Sequence, residues 1–237
     1  KMIKTLPSSL VDLELDGAGI TGSALRNVLD ALHRHDRRFF TVRKLQRLTL
    51  NSDTIDERNA QASLCALLRR TTGLKQLRLL PADRTRFRSS STGLAPVLEA
   101  LHSSNPPLES LAVDGCAVAS GDELASLAIL RVATRFRGLQ QLSLGGTRMP
   151  VDALCAVVAI LVHNASRPPL ALDCARNKLG NVGGLKLAAV LRGATSLKSL
   201  EAADNEFGPG AITALAEALR GVTSLVELGL ARNVRTP

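Results

Sequence analysis

One spacing of hydrophobic and polar positions occurs three times near the end of the chain, starting at Pro169, Leu197 and Leu225, each 28 residues after the last. Counted from each start, positions 4 and 6 are apolar or small. Side chains two residues apart in an extended segment point to the same face, so these positions predict a short strand with one buried face. Position 9 is Asn in all three, and its amide is able to bond backbone groups where the chain turns out of the strand.

The same template matches five earlier segments, beginning at Leu10, Leu45, Leu74, Leu108 and Leu139, at intervals of 28–35 residues along the chain. Position 4 is Leu in each of these matches. Position 9 is not Asn in any of them, and three side chains there are candidates to replace it: Asp53, Cys116 and Thr147. Position 9 is Ala in the first and third matches, and position 11 of the third is Arg84, so we expect the N-terminal repeats to be less regular.

Between the predicted strands, apolar residues recur every three to four positions, which is typical of amphipathic helices. The clearest faces are Leu25, Val28, Leu29 and Leu32; Leu154, Val157, Val158 and Leu161; Gly184, Leu187 and Leu191; and Ile212, Leu215 and Leu219. Two helices are expected to end at Arg192-Gly193 and Arg220-Gly221, because Gly is favoured just past a helix end. The alternation predicts an α/β solenoid of about eight strand–helix repeats, with a parallel sheet on its concave face and helices outside.

This organisation resembles the ribonuclease-inhibitor type of leucine-rich repeat. The resemblance covers nearly the whole chain and is sharpest from Asn177-Lys178-Leu179-Gly180 to the next strand, and again from Asn205-Glu206-Phe207-Gly208. It implies a horseshoe used for macromolecular binding, in a family that includes ribonuclease inhibitors, sensor regions of innate-immune receptors and the activator of the Ran GTPase. The chain lacks the aromatic-rich acidic concave surface of the first, a nucleotide-binding region like the second and an acidic tail like the third, so the resemblance implies the fold and no residue role.

The whole chain, residues 1–237, is predicted to be a single leucine-rich-repeat domain. Terminal repeats of a solenoid need polar caps. A repeat begins at Leu10, and no helix follows Asn233, so we expect the domain to be part of a longer chain or assembly.

The net charge of +9 and the pI near 10.1 favour an acidic partner: nucleic acid, an acidic protein surface or anionic lipid. On the predicted concave face, however, acidic residues outnumber basic ones. The acidic residues there are Asp12, Glu14, Asp16, Glu109, Asp114, Asp173, Glu201, Asp204 and Glu227, and the basic ones are Arg47, Lys75, Arg78, Arg176, Lys198 and Arg232. The basic surplus therefore belongs to helices and loops, which favours a partner held by an edge or by the convex face.

Two insertions concentrate this positive charge beside phenylalanine. The first lies between helix one and strand two and contributes Arg37, Arg38 and Phe39; the second, residues 83–91, contributes Arg84, Arg86, Phe87 and Arg88. Insertions in a solenoid often carry recognition, and Arg with Phe suits carboxylates or phosphates beside an apolar contact. The alternative is that both are solvated loops, with Phe39 or Phe40 packed into the core beneath.

A row of arginines falls at predicted helix ends, and equivalent positions stack along one edge of a solenoid. Its members are Arg69, Arg70, Arg135, Arg137, Arg167, Arg192 and Arg220. Each side chain is suited to pair with helix C-terminal carbonyls, at about 0.3–1 kcal/mol. The other interpretation is a basic ridge facing an acidic partner, and for it Arg192 and Arg220 are the candidate binding residues.

No catalytic or nucleotide-binding motif occurs in the sequence. Cys65, Cys116, Cys155 and Cys174 form no metal-ligand pair, and we expect reduced core residues of an intracellular protein. His33, His35, His102 and His163 fall near helix ends, where we expect surface or capping roles. We expect no catalytic residue, metal ion, cofactor or small-molecule substrate, and no membrane span, because no apolar run approaches about 18 residues.

The sequence thus favours a non-enzymatic interaction scaffold, a subunit or domain of a larger assembly in the cytoplasm or cytoskeleton. Its partner would be an acidic protein surface, with acidic cytoskeletal polymers as one class. Two alternatives remain: an enzyme regulator, such as a GTPase activator or nuclease inhibitor, acting through the concave face, and a structural protein of a ribonucleoprotein. Aromatic residues make up only 2% of the chain, which argues against base stacking on RNA but leaves phosphate contacts open.

Overall fold

A computed structural model gives the fold of the chain. It describes residues 10–16, 22–39, 44–81, 93–118 and 123–234, without the side chains of residues 33–39, 53 and 54. The chain groups into two compact units, residues 1–116 and 117–237. Both are built from parallel strands that alternate with helices, as the repeat pattern predicts.

Among its described residues, unit 1 contains four strands paired in chain order. They are β1 (Asp12–Leu15), β2 (Arg47–Asn51), β3 (Gln76–Leu80) and β4 (Ser110–Ala112), and every described pairing is parallel. The helices are α1 (Gly22–Phe39), α2 (Arg58–Leu68) and α3 (Leu94–Ser104), with a 3-10 helix at Ser52–Asp56. Position 4 of the template keeps one register across the strands, since Leu13 pairs with Leu48, Leu48 with Leu77 and Leu77 with Leu111.

Unit 2 repeats the arrangement with greater regularity. Its elements in chain order are α4 (Glu123–Arg135), β5 (Gln141–Ser143), α5 (Val151–Val162), β6 (Leu170–Asp173), α6 (Gly180–Leu191), β7 (Leu197–Glu201), α7 (Pro209–Leu219) and β8 (Glu227–Gly229). Strands β5 to β8 pair in parallel, with Leu142, Leu172, Leu200 and Leu228 in register. The template therefore predicted the strand alignment correctly in both units.

The core is made of the template positions and the predicted helix faces. Positions 4 and 6 are fully buried in most repeats, including Leu48 with Leu50 and Leu200 with Ala202. Of the predicted helix faces, only Ile212 is incompletely buried. Leu228 on the last strand differs, because 48% of it is exposed.

Helices α6 and α7 approach closely over a single aromatic ring. Phe207 occupies position 11 of its repeat and is completely buried. A Cβ on Gly184 would lie 2.8 Å from Cδ1 of Phe207 and 2.6 Å from the Cβ of Ala211. Only glycine therefore fits at this point of α6.

Buried asparagines at position 9 connect neighbouring repeats of unit 2. The side-chain amide of Asn177 donates to the carbonyls of Leu144 and Cys174 at 2.9 and 2.8 Å. Its Oδ1 accepts from the backbone N–H of Arg148 at 2.7 Å. Asn205 accepts from the backbone N–H of Asn177 at 2.9 Å, and so links two repeats in the same way.

These hydrogen bonds form a ladder along position 9. The repeat after Asn205 adds a third asparagine to it, and the repeat before Asn177 contributes a hydroxyl group instead. Asn233 Oδ1 accepts from the backbone N–H of Asn205 at 2.8 Å. Thr147, fully buried at position 9 of its repeat, has its hydroxyl 3.0 Å from the Leu144 carbonyl and 3.0 Å from Oδ1 of Asn177. The prediction that Thr147 substitutes for Asn is therefore confirmed. The Asp53 side chain lies outside the described residues.

One insertion differs from its expected form. Residues 33–39 continue helix α1 rather than forming part of a loop between α1 and β2. No Gly or Pro occurs between Gly22 and Lys44, so the sequence holds no signal that would end the helix earlier.

Candidate functional site

The loops that lead from helix to strand in unit 2 contain no acidic residue. They are residues 136–140, 163–169, 192–196 and 220–226, and none includes Asp or Glu. Helix α5 packs between α4 and α6, and α7 packs on α6, while strands β5 to β8 pair side by side. Equivalent helix ends therefore follow one another along one side of the unit.

Four exposed arginines line this side, which we call the helix-end edge: Arg135, Arg137, Arg192 and Arg220. Arg192 directly follows α6 in an extended conformation, and Arg220 follows α7 with its backbone N–H bonded to Ala216. Both predicted helix ends are confirmed, and the structure brings these two candidate binding residues to equivalent places on neighbouring helices. Their side chains are in solvent, at the carbonyl ends of helices where a cation is favoured.

Arg167 belongs to the same row in the sequence but lies in the interior, with 9% of the residue exposed. Its guanidinium donates to the carbonyls of Ala133 and Phe136 at 2.7 and 3.1 Å, at the end of α4. Burial, and secondarily the charge of Arg137, lowers the pKa of Arg167. For this residue the capping interpretation is confirmed, and it does not belong to an exposed ridge.

His163 also acts at a helix end, as its position in the sequence suggested. It caps α5, and its Nε2 lies 2.6 Å from the Val190 carbonyl in the last turn of α6. In the tautomer that carries a proton on Nε2, the ring donates to that carbonyl. Arg167 and His163 thus link successive helix ends, Arg167 from a buried position and His163 at the surface.

Several charges on the strand side of both units form local ion pairs. In unit 1, Arg47 lies 2.8 Å from Asp12 and Lys75 lies 3.2 Å from Glu109, each across neighbouring repeats. In unit 2, Arg232 pairs with Asp204 at 2.8 Å. Each pair engages one acidic and one basic side chain, so the acidic surplus of this face is unchanged.

Two carboxylates on the strand side of unit 2 bond their own backbone. Asp173 accepts from the N–H of Ala175 at 2.8 Å, and Glu201 accepts from the N–H of Ala203 at 2.9 Å. These bonds hold the turn that follows each strand. The acidic face predicted from the sequence is therefore partly engaged in shaping the repeat.

The candidate residues of the two insertions lie partly or wholly outside the described part of the structure. Arg37, Arg38 and Phe39 lie in the last turn of α1, but their side chains are outside the described part of the structure. Arg84, Arg86, Phe87 and Arg88 lie outside the described residues altogether. The role predicted for these seven residues stays a prediction.

The four cysteines are buried free thiols, as their positions predicted. Burial raises the pKa of Cys65, Cys155 and Cys174, which leaves these thiols in the protonated, unreactive form. Among the described residues, no group of three His, Cys, Asp or Glu side chains is placed to hold a metal ion. None of the described helices has the length and apolar character needed to cross a membrane.

No protein-family model matches the chain, and no curated protein matches it.

Proposed function

We propose that the chain is a leucine-rich-repeat solenoid of the ribonuclease-inhibitor type that serves as a non-enzymatic interaction scaffold. It binds an acidic protein surface within a larger intracellular assembly, with acidic cytoskeletal polymers as one candidate class. The parallel strands in a constant leucine register and the asparagine ladder support the repeat type.

The observation that carries the functional proposal is the helix-end edge. Its arginines are exposed, lie in or beside loops without a carboxylate, and occur at the ends of α4, α6 and α7. A surface of one charge sign attracts an oppositely charged partner and speeds its association. Arginine is also suited to planar, two-pronged contacts with carboxylates.

The other surfaces favour this assignment over the two alternatives. Several carboxylates of the strand-side face are engaged in ion pairs or in bonds to their own backbone, which weakens the case for an enzyme regulator bound there. An RNA partner would use the same arginines through phosphate contacts, but RNA recognition of single strands commonly adds aromatic stacking. Only 2% of the residues are aromatic, so we favour a protein partner.

The test is a pull-down of the full-length protein from its native cells at low salt, split into nuclease-treated and untreated halves, with partners identified by mass spectrometry. The wild type is compared with Arg192→Glu/Arg220→Glu. The matched control is Arg148→Glu/Lys178→Glu, which makes the same charge change at exposed residues on strand-to-helix turns, on the opposite side of unit 2.

We expect partners that survive nuclease, are lost from Arg192→Glu/Arg220→Glu and are retained by the control. Loss of most partners after nuclease would contradict the proposal and indicate RNA. Partners that disappear only when Glu201 and Asp204 are reversed to Lys would instead support a regulator bound on the strand side.

A further inference from the structure

A groove opens on the outer face of unit 2, between helices α4 and α5. It encloses about 440 Å³, and its apolar lining includes Leu127, Leu130, Pro150 and Ala153. Glu123 and Asp152 stand at the end where both helices begin. Apolar side chains on the solvent side of a helix are unusual, because that side of an amphipathic helix is normally polar.

The apolar surface extends beyond the groove itself. On α4, Leu124 is 72% exposed and Leu127 is 45% exposed; on α6, Val182 is 67% exposed and Leu185 is 44% exposed. Helix α5 lies between these two helices and presents a small exposed residue, Ala156. These exposed residues lie on three neighbouring helices, and we call the surface they form along α5, together with the groove, the channel. An amphipathic helix packs on apolar surfaces of this kind.

The two ends of this channel differ in charge. The end where α4 and α5 begin carries Glu123, together with Asp152 in an ion pair with Lys186 at 2.6 Å. At the opposite end of these helices lies the helix-end edge, where Arg135 and Arg192 are exposed. A helix has a partial positive charge at its N-terminus and a partial negative charge at its C-terminus. Charge complementarity therefore places the C-terminus of a bound helix at the arginine end.

We propose that this channel binds one amphipathic helix of the acidic protein partner. Its apolar stripe packs along α5, and acidic residues in its C-terminal turns contact Arg135 and Arg192. Helix α5 has 12 residues, about 18 Å at 1.5 Å per residue, so the bound helix spans about three turns with apolar residues at i, i+3 or i+4, and i+7. The inference rests on the proposed function, and it specifies the partner's docking element and orientation.

The experiment uses a displayed library of 16-residue peptides that are randomised at every position and selected for binding to the full chain. Enriched peptides are synthesised, and their affinity is measured by fluorescence anisotropy. The channel variant is Ala156→Gln, which places a longer side chain on the exposed face of α5 without changing charge. The control is Ala216→Gln, the same change at an exposed alanine of α7. Glutamine is a good helix former, so both variants should fold, as far-UV circular dichroism will verify.

We expect enriched peptides to combine the apolar spacing with Asp and Glu in their C-terminal half. Ala156→Gln should weaken their binding at least tenfold, Arg192→Glu should weaken it to a similar extent, and Ala216→Gln should leave it unchanged.

Each other outcome overturns the inference in a recognisable way. Acidic peptides without apolar spacing, sensitive to Arg192→Glu but not to Ala156→Gln, would refute the channel while leaving the proposed function intact. Apolar peptides indifferent to Arg192→Glu would count against the basic edge, and with it the proposed function. Acidic residues clustered in the N-terminal half would refute the orientation. If light scattering shows a wild-type dimer that Ala156→Gln dissociates, the occupant of the channel is a second copy of the chain. A selection that enriches no peptide would also count against the channel.

Discussion

Replacement of Asn205 by alanine is expected to cost far more stability than its size suggests. Asn205 is fully buried, and its amide makes three hydrogen bonds: one from the N–H of Asn177 and one to each carbonyl of Cys174 and Ala202. Each carbonyl keeps a second amide donor, from Asn177 and Asn233 respectively, at 2.8 and 2.9 Å. The N–H of Asn177, by contrast, would be left buried without its acceptor.

These contacts set the expected magnitude. A buried donor left without a partner costs about 1–3 kcal/mol, and each further lost bond costs about 0.5–1.5 kcal/mol net. We therefore expect Asn205→Ala to lower the free energy of unfolding by about 2–6 kcal/mol. The lost bond between Asn205 and the N–H of Asn177 joins two neighbouring repeats, so the substitution weakens the contact between them.

The assay is urea unfolding followed by far-UV circular dichroism, with the midpoint and slope fitted for each variant. Asn164→Ala is the matched control, because Asn164 is exposed and its Oδ1 accepts only a local bond from Ser166 at 3.0 Å. A surface substitution of this kind should change stability by no more than about 0.5 kcal/mol. If Asn205→Ala cost no more than Asn164→Ala, the buried ladder would not be stabilising the repeats.

Three further predictions concern the interior. Arg167→Met removes charged donors from the end of α4 and should cost about 1.5–3 kcal/mol in thermal unfolding, whereas Arg192→Met, in solvent, should be nearly neutral. Gly184→Ala places a Cβ 2.6 Å from that of Ala211 and should cost about 1–3 kcal/mol, while Gly221→Ala, with no neighbour within 4 Å, should be tolerated. Burial raises the folded pKa of Cys65, Cys155 and Cys174 above the unfolded value of about 8.5, so their contribution to stability is complete below that pH and is lost above it. Urea titrations should therefore show unfolding free energy declining above about pH 8.5, and a flat profile there would contradict this.

The strand register could be predicted from the sequence because the side-chain spacing of a strand is strict. A shift of one residue would turn every core leucine to solvent, so Leu142, Leu172 and Leu200 have only one workable alignment. The helix ends at Arg192 and Arg220 were equally predictable, because glycine follows each of them.

Whether an individual arginine is buried or exposed could not be predicted from the spacing. Arg167 and Arg192 occupy similar places in the pattern, but Arg167 turns inward to the carbonyls of Ala133 and Phe136. The loop that contains Arg167, residues 163–169, has two prolines and is longer than the loop at 192–196, which changes the path of the chain. Such a local difference decides burial and is not visible in a repeat template.

The channel was not predicted from the sequence, although the sequence contains a signal for it. The helical patterns were judged by the residues that face the core, and Leu124 and Leu127 fall on the other side of α4. Apolar residues that do not belong to the core face of a helix are the signal that would have indicated it. For the residues of the two insertions, the binding role is predicted from the sequence alone.

Hydrogen–deuterium exchange of the full chain, with and without its recovered partner, tests directly whether the helix-end edge is the binding surface. We expect slowed exchange in the helix-to-strand segments 192–196 and 220–226, with strands β5 to β8 unchanged. Protection confined to the strands, with those segments unaffected, would contradict binding through the helix-end edge.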